Sequence, residues 1–194
     1  MTDLRKKPGM AAMALDLTIR TACRTGEVTG ATWPGFDLDA GIWTIPAKRM
    51  KAGVEHTVPL DAAMLAVLDR AEQFSGGKGW AFPSARKGRP LSNVAMLELV
   101  RGMGAKDATG KAATVHGFRP TFRQRAAECP THPREVAEHA FAHRLPDKVE
   151  AAYSGARCLK SAAGYWRTGV GTLTPLQVSL RKPPRKHDHR ASIV

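Results

Sequence analysis

The sequence predicts an α+β fold that is mainly helical, with a small antiparallel sheet of about three strands on one edge. Three observations lead there. Apolar residues recur at helical spacing over Met10–Cys23, Ala62–Phe74 and Asn93–Arg101. The period changes to two on both sides of one basic loop, Lys48-Arg49-Met50-Lys51-Ala52-Gly53. Pro46 and Pro59 stand at the ends of the alternating runs, and proline is confined to sheet edges and strand ends, so the sheet is expected to stay small.

Taken in order, Met10–Cys23 is Ala-rich, with Met13, Leu17 and Ile19 supporting a buried helix and Arg20 interrupting that face. Gly26 reads as a break, with Arg24 at the junction and residues 27–33 as a second short helical turn. Pro34-Gly35 is a turn, and residues 36–39 lead into the next element. Ile42–Pro46 and Val54–Leu60 are the hairpin strands, and Trp80–Pro83 is expected as the third. Asp61 suits the N-cap of the helix Ala62–Phe74, and Ser92 suits that of Asn93–Arg101, which Gly102 and Gly104 close. Lys106–Lys111 reads as a polar loop. Further helices are expected from Thr131 to Phe141 and, capped by Asp147, over Lys148–Tyr153. Composition shifts after Trp166. Residues 169–175 read as a linker, and Arg181–Arg190 as a basic, proline-containing tail without fixed structure, so the expected division is 1–166 and 167–194.

Thirty Lys and Arg against seventeen Asp and Glu leave a net charge of +13 over 194 residues. Such an excess is the footprint of a polyanion partner, most often nucleic acid. Anionic lipid is the competitor, but no basic amphipathic helix stands out to favour it, and no apolar run approaches the roughly 18–20 residues of a membrane helix. The N-terminus is charged, with no apolar stretch behind it, so no secretory signal is expected. Cys23, Cys129 and Cys158 are scattered and odd in number, which suits a reducing cytoplasm and offers neither a disulfide framework nor a zinc site.

The chemistry centres on His116-Gly117-Phe118-Arg119-Pro120-Thr121-Phe122-Arg123. In a helix His116 and Arg119 would share a face, an acid/base group beside a phosphate-matching fork. Alone, the pattern reads equally as a solvated basic face. Four further stretches stand around it: Cys23-Arg24-Thr25-Gly26-Glu27, Met50-Lys51-Ala52-Gly53, Ala142-His143-Arg144 and Glu150-Ala151-Ala152-Tyr153. In this order and spacing, from about Leu4 to Ser154, the chain resembles the catalytic domain of the tyrosine recombinases, the phage-integrase family, in its prophage and genomic-island branch.

The resemblance implies site-specific DNA recombination, that is integration or excision. Tyr153 would attack the scissile phosphate to give a 3′-phosphotyrosyl link and a free 5′-hydroxyl. Arg24 and Arg119 would clamp the non-bridging oxygens, work that a metal does elsewhere. His116 would handle the tyrosine proton, Lys51 would protonate the leaving 5′-oxygen, and His143 would donate to the phosphate. Lys48, Arg49, Arg123 and Arg144 would contact the DNA backbone. Double-stranded DNA and further copies of the chain on that DNA are the implied partners. No metal, ATP or small-molecule cofactor and no membrane is implied, and the place of action is the cytoplasm, at the bacterial nucleoid.

Each residue also has a plainer reading: Arg24 as a helix C-terminal cation, Lys51 as one loop lysine among several, His143 as a buried or capping histidine with His139 as competitor, Tyr153 as a packing aromatic. The chain departs from the family pattern in three places. The core-binding domain that the family carries before its catalytic domain is expected to be absent here. Pro120 stands where the family has a small polar residue, so either a helix starts there, with Pro120 as its first residue, or the His116–Arg119 pair is displaced. The text after Ser154 matches the family poorly. A truncated, catalytically silent remnant that only binds DNA is therefore the alternative. A type IB topoisomerase and a basic ribosomal or chromatin protein are more distant ones.

Overall fold

The computed structural model describes residues 2–86, 88–107, 109–128 and 141–142. Among them the chain forms helices α1 (Thr2–Arg5), α2 (Met10–Thr21) and α3 (Thr25–Thr29), then strands β1 (Phe36–Asp37), β2 (Ile42–Ile45) and β3 (His56–Pro59). Helices α4 (Ala62–Ser75), α5 (Ala95–Gly102) and α6 (Phe118–Glu128) complete the set. The α+β class expected from the sequence is the one observed, and none of these helices is long and apolar enough to cross a membrane.

Helix α2 is the axis of the packing, touching α1, α3, α4, α5 and α6. Every residue from Ala12 to Thr21 is buried, as in a helix surrounded by protein rather than laid on a surface. Its alanines let neighbours approach, and its hydroxyls are satisfied within the helix: Thr18 Oγ1 donates to Ala14 O at 2.7 Å and Thr21 Oγ1 to Leu17 O at 2.8 Å. Arg20 does not interrupt the buried face as expected. It is 1% exposed, and its Nε donates to Asp16 Oδ1 at 2.7 Å, one turn earlier, so two opposite charges enter the core together.

The sheet is antiparallel in the order β1-β2-β3, with Trp43 opposite Val58 and Ile45 opposite His56. These four share the buried face, as period-two alternation requires. The third strand is Phe36–Asp37 and not Trp80–Pro83. Trp80 makes only a single bridge to Thr32, and Ala81 N donates to Ala31 O at 2.9 Å, so that segment ties down the end of α3 and stays outside the sheet. Phe36 earns its place by stacking on Trp43, centroids 5.2 Å apart and planes 17° from parallel.

Asp61 caps α4 as expected, its carboxylate accepting from Met64 N at 2.7 Å, and Gly76 ends the helix in the left-handed region at φ 72°. Two other boundaries differ from expectation. Helix α5 begins at Ala95, with Val94 at its N-cap; Ser92 contributes only its carbonyl, and the Asn93 side chain is taken by Thr29 Oγ1 at 3.2 Å. Gly26 is not a break but lies inside α3, and the break falls at Ala22–Arg24. The helix expected from Thr131, the one capped by Asp147, and residues 167–194 lie outside the described residues.

Candidate active site and nucleic-acid interface

The site starts from the end of α2. Ala22 turns the chain at φ 52°, left-handed backbone that costs a non-glycine residue roughly 1–2 kcal/mol. The turn is braced by Thr21 Oγ1, which accepts from Cys23 N at 3.2 Å. It frees the Ala22 carbonyl and delivers Arg24, in extended conformation, to the N-cap of α3.

A cation at a helix N-terminus meets the wrong end of the peptide dipoles, so Arg24 needs a partner. Glu27, buried one turn on, supplies it: Oε2 accepts from Arg24 N at 2.7 Å and Oε1 from Nη1 at 2.8 Å. The carboxylate thus fixes Arg24 at both root and tip, while 33% of the arginine side chain stays accessible.

Arg119 reaches the same place from α6. It is 8% exposed, with Nη1 donating to Ala22 O and Nη2 to Phe141 O at 3.3 Å. Its Cζ lies 5.2 Å from the centre of the Phe141 ring, which meets Phe122 edge-on at 5.5 Å. Ala22 and Ala142, beside Phe141, are the two non-glycine residues of positive φ among the described residues, so both carbonyls holding Arg119 come from strained turns. Burial holds the Arg119 pKa below the usual guanidinium value, and the neighbouring Arg24 charge lowers it further, opposed by Cys23 and Glu27. The two arginines are therefore electrostatic neighbours, with one buried carboxylate beside them. Guanidinium forks are chemically matched to an oxyanion with several oxygens.

Cys23 lies in the same cluster, its thiol pushed up to about 12 by burial and then by Glu27, against the pull of Thr21, Arg119 and Arg24. A thiol so raised is protonated at neutral pH and is no nucleophile there.

Of the two arrangements its position suggested, Pro120 is not the first helical residue, and the His116–Arg119 pair is displaced. Helix α6 begins two residues earlier, at Phe118, so Pro120 falls in the first turn, where an N–H has no intrahelical partner and its loss costs nothing. His116 precedes the helix in a tight turn, its carbonyl accepting from Arg119 N at 3.1 Å. Its side chain is exposed where that of Arg119 is buried, so the pair does not share a helix face.

Lys48 and Lys51 are exposed on the β2–β3 connection, and Arg123 is exposed on α6. Arg49 is half-buried, its Nη2 donating to Gly26 O at 3.0 Å and Glu27 O at 2.8 Å. His143, Arg144 and Tyr153 lie outside the described residues. Three contributors had no role assigned from the sequence. Glu27 was legible, since its place three residues after Arg24 is the spacing of a capping box. The Ala22 carbonyl and the Phe141 ring carried no signal, because alanine favours helix and the ring's partner is distant in sequence.

Two guanidiniums share this corner of a basic α+β scaffold, and similarity to known proteins says which family it belongs to. The phage integrase family model matches residues 3–156, and the chain belongs to that family. It is 33% identical to the prophage integrase IntA of Escherichia coli K12 over 135 residues, covering 69% of this chain and 32% of that one. Against the integrase of enterobacteria phage P4 the identity is 31% over 157 residues, covering 74% and 35%. The tyrosine recombinase XerC of Xylella fastidiosa M23 is 28% identical over 126 residues, covering 64% and 42%. The chain spans about a third of the length of the integrases it matches. No solved structure matches it.

Proposed function

We propose that this chain is the strand-breaking part of a site-specific recombinase acting on duplex DNA. The observation that carries the reading is the Arg24–Arg119 pair, brought together from opposite ends of the described chain and fixed by Glu27, Ala22 O and Phe141 O. Such a pair suits the two non-bridging oxygens of a phosphodiester and the charge that builds on them during displacement. In the proposed step the Tyr153 oxygen forms a bond to phosphorus as the bond to the 5′-oxygen breaks. One phosphate ester replaces another, so rejoining needs no ATP. His116 takes the tyrosine proton, which a phenol with an ordinary pKa near ~10 gives up reluctantly at neutral pH, and Lys51 supplies a proton to the leaving oxygen. His143 is a further donor to the phosphate, and Lys48, Arg123 and Arg144 contact the backbone. Several copies on one DNA would be needed for exchange.

A nicked suicide duplex carrying the target site tests this. Wild type should accumulate a covalent protein–DNA adduct that Tyr153→Phe abolishes and that chelators leave intact. Duplex binding without any adduct would instead support the silent-binder reading. Pro120 itself sits where a helix tolerates it.

A further inference from the structure

We propose that Arg49 is a positioning residue rather than a DNA ligand: its guanidinium latches the basic hairpin segment to the end of α3 and so fixes where Lys51 is presented. Nη2 is shared between Gly26 O at 3.0 Å and Glu27 O at 2.8 Å, carbonyls of the last turn of α3 that a cation satisfies well. The grip is local to Lys51. A 3-10 turn over Ala47–Arg49 sets the arginine, with Arg49 N donating to Pro46 O at 2.9 Å and Met50 N to Ala47 O at 3.0 Å. Met50 then enters the core, and Lys51 follows it into solvent. Two consecutive anchors, one polar and one apolar, thus precede the lysine. Glu27 joins the two halves, its side chain holding Arg24 and its carbonyl holding Arg49.

Gly30 supplies independent support. Its backbone is ordinary at φ −92° and ψ 14°, so conformation does not call for glycine. A Cβ there would lie 2.5 Å from Arg49 Nη2, 3.2 Å from its Cζ and 3.2 Å from Gly26 O, so a side chain at this position would push the guanidinium off its carbonyls. The chain keeps a glycine where the guanidinium passes.

The latch stands on its own geometry, whereas its consequence for Lys51 rests on the strand-breaking reading above. Amide exchange on the full chain tests the latch without DNA. Arg49→Ala and Gly30→Ala should each speed exchange at the Met50 and Gly53 amides by about 5–30-fold, and the double variant no more than either, since both remove one interaction. Unchanged exchange in Arg49→Ala, or additive effects, would overturn it. Should Gly30→Ala fail to fold, the double variant, in which the space is vacated, still makes the comparison with Arg49→Ala. Two DNA measurements address the consequence. Arg49→Ala should keep the wild-type salt slope of duplex binding, where loss of a phosphate contact would lower it by about 0.9. It should slow cleavage at a 5′-oxygen leaving group by roughly tenfold or more, yet slow a 5′-bridging-sulfur substrate, whose thiolate leaves without a proton, less than about twofold. A lowered slope, or equal slowing on both substrates, would sink the positioning role. A wild type that cleaves neither would sink the strand-breaking reading and leave the exchange result to decide the latch.

Discussion

Glu27 shows how much one side chain organises at this site, because its carboxylate holds Arg24 through both backbone and guanidinium. Glu27→Gln keeps an acceptor but removes the charge. With Arg24 partly exposed and the bond screened by solvent, the loss should be roughly 1 kcal/mol, read as a lower denaturant midpoint. Adduct formation should fall further, since Arg24 would no longer be held in one pose. Ala22 makes the opposite prediction. Glycine there keeps the carbonyl that receives Arg119 and relieves the left-handed backbone, so Ala22→Gly should stabilise by about 0.5–1 kcal/mol in the same measurement. Cys23 gives a pH dependence. Its folded pKa is raised from 9.0 to about 12, so between those values the unfolded chain has lost a proton that the folded chain keeps. The stabilising contribution is complete below pH 9.0, declines above it and is gone by about pH 12. Cys23→Ala should flatten the alkaline fall in stability, and native Cys23 should resist alkylation at pH 8. Of these residues only Glu27 was legible beforehand, through its spacing from Arg24. Nothing in a linear sequence marks an arginine such as Arg119 as buried, for arginine is ordinarily exposed and its partners here are backbone carbonyls from distant turns.

At the level of elements, the helices with strong apolar periodicity were readable within a few residues, and the errors have identifiable causes. A two-residue strand such as β1 carries no period, so Phe36–Asp37 could not compete with the more strand-like Trp80–Pro83. The latter spends its backbone on α3 and on the 82–91 turn, where Leu91 N donates to Phe82 O at 2.8 Å. Pro120 did not mark the helix start, because a proline is tolerated anywhere in the first helical turn, but the displaced His116–Arg119 pair it pointed to is observed. Asp61 was read correctly, because an N-cap is a local device. Asp61→Ala should cost about 1 kcal/mol, seen as a lowered Tm, with the adduct chemistry of the folded protein unchanged.

For the molecule as a whole, the net charge of +13 pointed to a polyanion partner before any motif did. Family membership over residues 3–156 agrees with the extent read from five short stretches, Leu4 to Ser154. Duplex binding should be strongly salt-dependent: with four to five phosphate contacts, affinity should fall on the order of 10²-fold to 10³-fold between about 50 and 200 mM salt. The central claim is covalent chemistry at one residue, and the chain has only two tyrosines with which to decide it. The direct measurement is to trap the protein on a suicide duplex, trim the DNA with nuclease and map the modified peptide by mass spectrometry. The account predicts a nucleotide remnant on Tyr153. A remnant on Tyr165, or unmodified tyrosines after stable DNA binding, would contradict it.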